Sequence, residues 1–205
     1  MIIIIDYGMG NLRSILNKLE RLRIEAKISS TIADIKAADK LILPGVGAFG
    51  NGMMNIEKYN LHAVLNKRVL QDRIPILGIC LGMQLFCRKS EEGNVEGLGW
   101  IEADVKKFNF NSLDEKLRIP HMGWNQTTIR NESLLVDGLG ETAKFYYVHS
   151  YHVSADVRGV TVATACYGYD FPAIIQVDNI FGTQFHPEKS HRDGQQILKN
   201  FAEKI

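Results

Sequence analysis

Apolar and polar positions in the N-terminal half of the chain follow an alternation of short strands and helices. The run Ile2–Ile5 is wholly apolar and β-branched, which predicts a strand buried on both faces. Positions 12, 15, 16, 19 and 22 are then apolar at helical spacing. Further strands are predicted at 26–29, 40–43 and 74–79, and a helix at 60–71. This order predicts an α/β fold: a doubly wound, mainly parallel open sheet flanked by helices.

The C-terminal half has a different pattern, in which strands follow one another after short turns. Strands are predicted at 144–150, 162–167, 173–178 and 180–186, and a closing helix at 194–205. The pair Asp178-Asn179 is typical of a hairpin turn, so additional antiparallel strands should extend the parallel sheet. The chain has no long linker, repeat or low-complexity stretch, which predicts a single domain over residues 1–205.

Composition excludes several classes of function. The 205 residues carry a formal net charge of +1, too little to form an electrostatic footprint for nucleic acid. Three cysteines without a CxxC pair argue against a disulfide scaffold and against a structural zinc site. The apolar opening is too short for a signal peptide or a membrane span. We therefore expect a cytoplasmic protein with no metal, nucleic-acid or membrane partner.

The segment around Cys80 is the first that indicates chemistry. Gly78-Ile79-Cys80-Leu81-Gly82 has the form G-x-C-x-G, the cysteine counterpart of a nucleophile elbow. Flanking glycines permit a tight turn from strand to helix that exposes the thiol. The partial positive charge of a helix N-terminus also stabilises a thiolate. A lone cysteine is usually a small buried apolar residue, and Cys87 and Cys166 keep that interpretation.

A histidine and a glutamate near the C-terminus supply the partners that a cysteine nucleophile needs. His186 comes at the end of a predicted strand, and Pro187 should turn the chain away from the sheet. In an extended segment, His186 and Glu188 project to the same side. Glu188 can then orient the imidazole while the other ring nitrogen faces Cys80. The three residues predict a nucleophilic triad.

Two glycine-rich turns invite a functional interpretation, and only one of them fits. An oxyanion needs backbone N–H donors, and we expect these from Leu81 in the elbow and from Val46 and Gly47 in the turn at 44–49. The alternative is a plain turn after a strand. Gly8-Met9-Gly10 suggests dinucleotide binding, but Arg13 stands where the third glycine of G-x-G-x-x-G belongs.

Taken together, these motifs resemble those of the class I (triad) glutamine amidotransferases. Within that family the chain is most similar to the glutaminase subunits of imidazole glycerol phosphate synthase, an enzyme of histidine biosynthesis. The resemblance extends over almost the whole chain. It rests on the segments 5–12, 44–49, 74–84, 120–125, 148–151, 185–190 and 198–201.

The resemblance implies a reaction and a set of substrate contacts. Cys80 would attack the side-chain amide of L-glutamine, His186 would protonate the departing ammonia, and water would hydrolyse the glutamyl thioester to glutamate. No cofactor is implied. The positions that match the family's glutamine-binding residues are Gly45, Gln84, Glu92, Ser150 and Tyr151. A carboxylate at Glu92 suits the α-ammonium group of the substrate.

The resemblance also implies a partner, a (βα)8-barrel cyclase subunit that receives ammonia through a tunnel. The positions that match this interface are Pro120, His121, Met122, Gly123, Trp124 and Lys189. From the pattern alone, Trp124 would be a half-buried core aromatic and Lys189 a surface residue. Glutaminase activity in the family is low until the partner binds its own ligand. We therefore hypothesise that a peptide flip in the turn at 45–47 creates the oxyanion donor.

Three other interpretations stay open at this point. The segments 99–100, 149–152 and 186–191 also resemble paralogous amidotransferase subunits that supply ammonia for surface-polysaccharide or nonulosonic sugars. A degenerate amidotransferase-like domain could serve as a binding module. A flavodoxin-like α/β protein would explain the strand pattern but not the His-Pro-Glu segment.

Overall fold

The strands and helices below come from a computed structural model that describes residues 1–111, 117–154 and 159–205. The strands are β1 (Ile2–Ile5), β2 (Ala26–Ser29), β3 (Lys40–Gly45), β4 (Ile76–Cys80), β5 (Cys87–Ser90), β6 (Val95–Glu96), β7 (Ile101–Lys107), β8 (His121–Ile129), β9 (Thr142–His149), β10 (Tyr151–Val153), β11 (Thr161–Tyr167), β12 (Tyr169–Val177) and β13 (Ile180–Thr183). The α-helices are α1 (Leu12–Arg21), α2 (Ile32–Ala37), α3 (Phe49–Lys58), α4 (His62–Asn66), α5 (Leu81–Gln84) and α6 (His191–Glu203). A π-helical turn (Lys67–Gln71) continues α4, and 3-10 turns cover Leu134–Val136 and Pro187–Lys189.

The main sheet joins a parallel half to an antiparallel half. Its strand order is β2-β1-β3-β4-β13-β12-β11-β8-β9. The strands from β2 to β13 are parallel, whereas β13, β12, β11, β8 and β9 pair antiparallel. This confirms the predicted fold class.

A smaller sheet of four strands, in the order β10-β7-β5-β6, was not predicted from the sequence. Its strands β5 and β6 are short, and β7 alternates charged and apolar residues. Strand β10 follows β9 after the single residue Ser150 and pairs with β7. Side chains of the smaller sheet, such as Val105, belong to the buried cluster that contains Ile3 and Ile5 of β1, so this sheet packs on one face of the parallel strands.

The core lies on both faces of the parallel strands. In β1, Ile2 and Ile4 pack into a cluster with α1 and α6, whereas Ile3 and Ile5 pack into a second cluster with α3, α4 and the smaller sheet. All four side chains are buried. Burial of both faces explains why the strand is continuously apolar rather than alternating.

Several element bounds differ from the predicted ones, and β3 gives the clearest physical reason. The strand continues beyond residue 43 through Pro44 to Gly45, because these two residues pair with Ile79 and Cys80 of β4. On its other side β3 pairs with β1 only as far as Ile42. On the side of β1 no strand pairs with Pro44, so the N–H group that proline lacks is not needed for a hydrogen bond between strands.

The other differences are small shifts at element ends. Strand β4 begins at Ile76 and β12 begins early at Tyr169, while β13 stops at Thr183 and α6 ends at Glu203. Among the helices in the described part of the chain, none has the length and apolar character needed to cross a bilayer. The assignment of all 205 residues to one domain stays a prediction.

Candidate active site

Cys80 occupies a strained turn at the centre of the main sheet. It ends β4 and precedes α5, with φ of 54° and ψ of −111°, a conformation rare for a residue with a side chain. A Cβ at Gly82 would lie 1.8 Å from the carbonyl oxygen of Leu43, and a Cβ at Gly78 would lie 2.6 Å from the backbone of Met83. The two glycines let the turn pack this closely, as the elbow motif predicted.

His186 reaches the same edge of the sheet from the neighbouring strand. Strand β13 runs parallel to β4, so both strands end on the same side. Beyond Thr183 the chain leaves the sheet, and the backbone N–H of His186 donates to the carbonyl oxygen of Tyr146 at 3.0 Å. This bond to β9 fixes the imidazole beside the elbow.

Glu188 accepts a hydrogen bond from His186, but the backbone between them is not the expected one. Nδ1 of His186 lies 3.0 Å from Oε1 of Glu188, and both side chains are 1% exposed. The predicted extended segment is wrong: Pro187–Lys189 forms a 3-10 turn. Pro187 fits the first position of this turn because it has no N–H to place there. The turn brings the carboxylate back onto the ring.

The charge of His186 depends on these two neighbours. Burial by itself lowers the pKa of His186, but attraction to Cys80 and the bond to Glu188 raise that pKa to about 10. Because Glu188 occupies Nδ1, the ring atom left to interact with Cys80 is Nε2, which has no hydrogen-bond partner among the described residues. The surroundings of His186 therefore favour the protonated form of its ring.

A cleft of about 280 Å³ opens in front of Cys80. This volume suits a ligand of the size of an amino acid. Its walls come from five parts of the chain: Val46, Gly47, Cys80, Leu81, Gln84, Glu92, Pro120, Val148, His149, Ser150 and Tyr151. The predicted oxyanion donors and the predicted glutamine-binding residues, apart from Gly45, therefore share one cleft.

Gly45 has a packing role at the base of the cleft. It is buried, and a Cβ there would lie 2.8 Å from the N atom of Gly82 and from the hydroxyl of Tyr7. Tyr7 in turn donates to the carbonyl oxygen of Pro44 at 2.7 Å. Apart from its place in the turn after β1, nothing in the sequence pattern indicated this role of Tyr7.

Two polar side chains of the cleft are held by the protein. Glu92 accepts a hydrogen bond from the backbone N–H of Phe49, the first residue of α3, at 2.7 Å. A carboxylate is favourable at a helix N-terminus. Gln84 donates to the carbonyl oxygen of Tyr151 at 2.8 Å. Both side chains are thus pre-positioned for a ligand.

The predicted interface residues lie on β8, just before it at Pro120, and in the turn after His186. All of them except His121 are at least partly exposed. Met122 is 62% exposed and Trp124 is 48% exposed, while Pro120 and Lys189 are also exposed. The expectation from the pattern that Trp124 is a half-buried core residue is therefore wrong. His121 is buried, because the alternation along β8 points it away from Met122 and towards His149. A direct contact between the side chain of His121 and a partner is excluded by this orientation.

Other depressions do not carry comparable chemistry. One of them, of about 750 Å³, is lined by residues 129–134 and 136–141 and contains no cysteine or histidine. Within residues 1–111, 117–154 and 159–205, no three His, Cys, Asp or Glu side chains form a group that could hold a metal ion. Volume alone would have pointed to the wrong part of the molecule.

Comparison with known proteins agrees with this geometry. The family model for glutamine amidotransferase class-I matches residues 3–205. Imidazole glycerol phosphate synthase subunit HisH 2 of Pseudomonas aeruginosa is 45% identical and is covered, like this chain, over 100% of its length. A protein of the same name from Methanococcus maripaludis is 46% identical, with 98% of each chain covered. A solved glutamine amidotransferase has a TM-score of 0.75 at 21% identity, covering 98% of this chain and 97% of the other. This chain belongs to the glutamine amidotransferase class-I family.

Proposed function

We propose that this chain is the glutaminase subunit of an imidazole glycerol phosphate synthase and that Cys80, His186 and Glu188 are its catalytic residues. The observation that carries the proposal is the grouping of Cys80, which lines a cleft of suitable size, with the buried pair of His186 and Glu188. The full-length similarity to subunits of that synthase supports it. We place the reaction in the cytoplasm, where free cysteines such as Cys80 stay reduced.

The proposed reaction has two stages. The Cys80 thiolate forms a bond to the side-chain amide carbon of glutamine, and the negative charge moves to the amide oxygen. The carbon–nitrogen bond then breaks, and the nitrogen leaves as ammonia with a proton from His186. Water, deprotonated by His186, attacks the thioester and releases glutamate and the thiolate. Glu188 keeps the imidazole oriented throughout.

The walls of the cleft match the needs of this reaction. Leu81, Val46 and Gly47 lie where backbone N–H groups can meet the oxyanion. Gly47 has a φ of 107°, and a Cβ there would meet only Cε of Met9 at 3.0 Å. A glycine at this φ permits more than one orientation of the adjoining peptide, which supports the hypothesis that a peptide flip switches the activity. Equal glutamine turnover by the isolated chain and by the ligand-loaded complex would refute the switch.

The surface next to the cleft fits a protein partner. Pro120 lines the cleft, and the exposed side chains of Met122 and Trp124 continue from it along β8. Exposed apolar side chains grouped in this way mark docking surfaces. We propose that a (βα)8-barrel cyclase subunit covers them, with Gly123 and Lys189 in the contact, and that ammonia passes directly into it. The barrel would add this nitrogen to its own substrate and form imidazole glycerol phosphate and AICAR from it.

The test measures synthesis by the complex with the candidate cyclase subunit. Cys80→Ala is expected to abolish synthesis from glutamine and to leave synthesis from ammonium salts unchanged. Loss of both activities in a folded complex would contradict a role confined to ammonia supply. Absence of labelling of Cys80 by a glutamine-derived chloroketone would favour the degenerate binding module instead.

A second destination for the ammonia is also tested by this experiment. The alternative is a paralogous amidotransferase subunit that supplies ammonia to a sugar-modifying pathway, as the resemblance of the segments 99–100, 149–152 and 186–191 implies. That role is supported if the histidine-pathway cyclase fails to stimulate glutamine hydrolysis and the barrel partner of the sugar pathway succeeds.

A further inference from the structure

The sulfur of Cys80 faces a hydrogen-bond donor outside the triad. Nε2 of Gln184 lies 3.6 Å from Sγ, and the side chain of Gln184 is fully buried. Its carboxamide oxygen accepts from Nε2 of Gln84 at 3.0 Å. A polar side chain buried beside a nucleophile is stable only when its hydrogen-bonding groups have partners. Here one of those partners is the reacting atom.

A backbone carbonyl fixes the orientation of both carboxamides. Gln84 Nε2 donates to the carbonyl oxygen of Tyr151 at 2.8 Å. Because a carbonyl oxygen only accepts, the Gln84 atom that faces it must be the nitrogen. The Gln184 atom that meets this nitrogen is then its oxygen. The NH₂ group of Gln184 therefore points at the sulfur. If the amide of Gln184 were reversed, its NH₂ group would face the NH₂ group of Gln84; if the amide of Gln84 were reversed, its oxygen would face the carbonyl oxygen of Tyr151.

The same carbonyl anchors a second row of hydrogen bonds. His149 donates to it from Nδ1 at 2.9 Å, so Nε2 of His149 accepts from Nδ1 of His121 at 2.9 Å. Nε2 of His121 accepts in turn from the amide of Asn125 at 3.2 Å. Burial holds the pKa of His149 at about 3 and that of His121 at about 4. Both rings are neutral at pH 7, which gives the Tyr151 carbonyl two permanent donors.

We propose that Gln184 is a positioning residue for the nucleophile: its amide N–H holds the Cys80 sulfur and stabilises the thiolate. Gln84 is the side chain that keeps this amide turned towards the sulfur. A hydrogen bond to a charged acceptor is about twice as strong as one between neutral groups. The donor thus favours the ionised form that attacks. The proposal depends on the proposed function only for its effect on turnover.

The experiment measures the reactivity of Cys80 without glutamine or partner. Iodoacetamide alkylation of the full chain is followed from pH 5 to pH 10 in a Cys166→Ser background, with modification located by mass spectrometry. Gln184→Met keeps the length of the side chain and removes the donor. We expect alkylation at pH 7 to slow about tenfold and the pH profile to move about one unit upward.

A matched control makes the same chemical change elsewhere. Gln196 lies on α6 and donates to Asn200 at 2.9 Å, away from the cleft. Gln196→Met should give the alkylation profile of the parent chain. If folded Gln184→Met also gives that profile, the proposal is overturned, since a merely structural role predicts no change in the pH dependence of alkylation.

A second variant decides the case if Gln184→Met does not fold. Gln84→Met leaves Gln184 in place but removes the donor that orients its amide. Alkylation at pH 7 should then slow about threefold, because the amide can also turn its oxygen to the sulfur. An unchanged profile would overturn the proposal. A parent chain that alkylates as expected but hydrolyses no glutamine with any partner would instead refute the proposed function alone.

Discussion

Two groups of buried histidines are held in opposite charge states. His186 is 1% exposed, while His121 and His149 are 4% and 6% exposed. Burial lowers the pKa of His121 to about 4 and that of His149 to about 3. The pKa of His186 is raised to about 10, because Cys80 and Glu188 outweigh the effect of burial. The chemical partner of an imidazole, rather than its depth, decides whether it carries a proton.

This difference matches the positions of the two groups. His186 stands beside the nucleophile, where a proton donor is needed for the leaving nitrogen. His149 forms part of the wall of the cleft and His121 lies behind it, where a neutral ring can both donate and accept.

Removing the carboxylate of the triad should have the largest effect. In Glu188→Gln the oxygen that accepts from Nδ1 of His186 loses its charge. We expect kcat/KM for glutamine in the complex to fall about 10³-fold, because the imidazole is no longer oriented or stabilised in its protonated form. Synthesis from ammonium salts serves as the control and should be unchanged. A loss of less than about threefold would contradict the role of Glu188.

Acid should destabilise the chain through the neutral histidines. Their folded-state pKa values lie below the ordinary value of 6.5, so stability is lost as the pH falls below 6.5. For His121 the loss should reach about 3 kcal/mol by pH 4. The free energy of unfolding, measured with urea from pH 7 to pH 4, should therefore fall less steeply in His121→Phe than in the parent chain. Parallel curves for the two proteins would show that this ring does not carry the effect.

His186 should behave in the opposite way. Its folded-state pKa lies above 6.5, so its contribution to stability is present below pH 6.5 and is lost as the pH rises towards about 10. Nuclear magnetic resonance of ¹⁵N-labelled histidine should find this ring protonated at pH 8. In Cys80→Ala the titration midpoint should fall by about two pH units. A midpoint that does not depend on Cys80 would break the contrast between the two groups.

The smallest effect is expected at the thiols outside the cleft. Cys166 is exposed on β11, and burial raises the pKa of Cys87 to about 12. Neither of them has an imidazole neighbour of the kind that Cys80 has. Cys166→Ser should change glutamine turnover by less than about twofold. A larger loss, measured in the same complex, would mean that a second thiol takes part.

The parallel half of the fold and the grouping of Cys80 with His186 and Glu188 could be predicted from sequence. Continuous apolar runs such as Ile2–Ile5 identify buried strands, and glycines on both sides of Cys80 identify the elbow. The prediction that His186 and Glu188 lie on one side of the chain agrees with the structure, but the predicted backbone was extended and the observed one is a 3-10 turn. A 3-10 turn and an extended segment both bring these residues to one side, so the pattern could not distinguish them.

Other parts depend on contacts that the local sequence does not reveal. Helix α3 contains Gly50 and Gly52, which disfavour a helix, yet Gly52 lets it pack against Leu85. Strand β8 lacks a clean alternation of apolar and polar residues, so it was not predicted, and the burial of His121 was missed with it. The orientation of Gln184 depends on the carbonyl of Tyr151, which lies far away in the chain.

The exposed indole on β8 gives the molecule a built-in optical reporter. Trp124 stacks on the imidazole of His191 with ring centres 4.8 Å apart, and 48% of it remains in contact with solvent. The second tryptophan, Trp100, donates its ring N–H to Asn66 at 2.7 Å on a different element. Covering the exposed indole with another protein should shift its fluorescence to shorter wavelength, while the emission of the other stays constant. Assembly can thus be followed in real time without a dye.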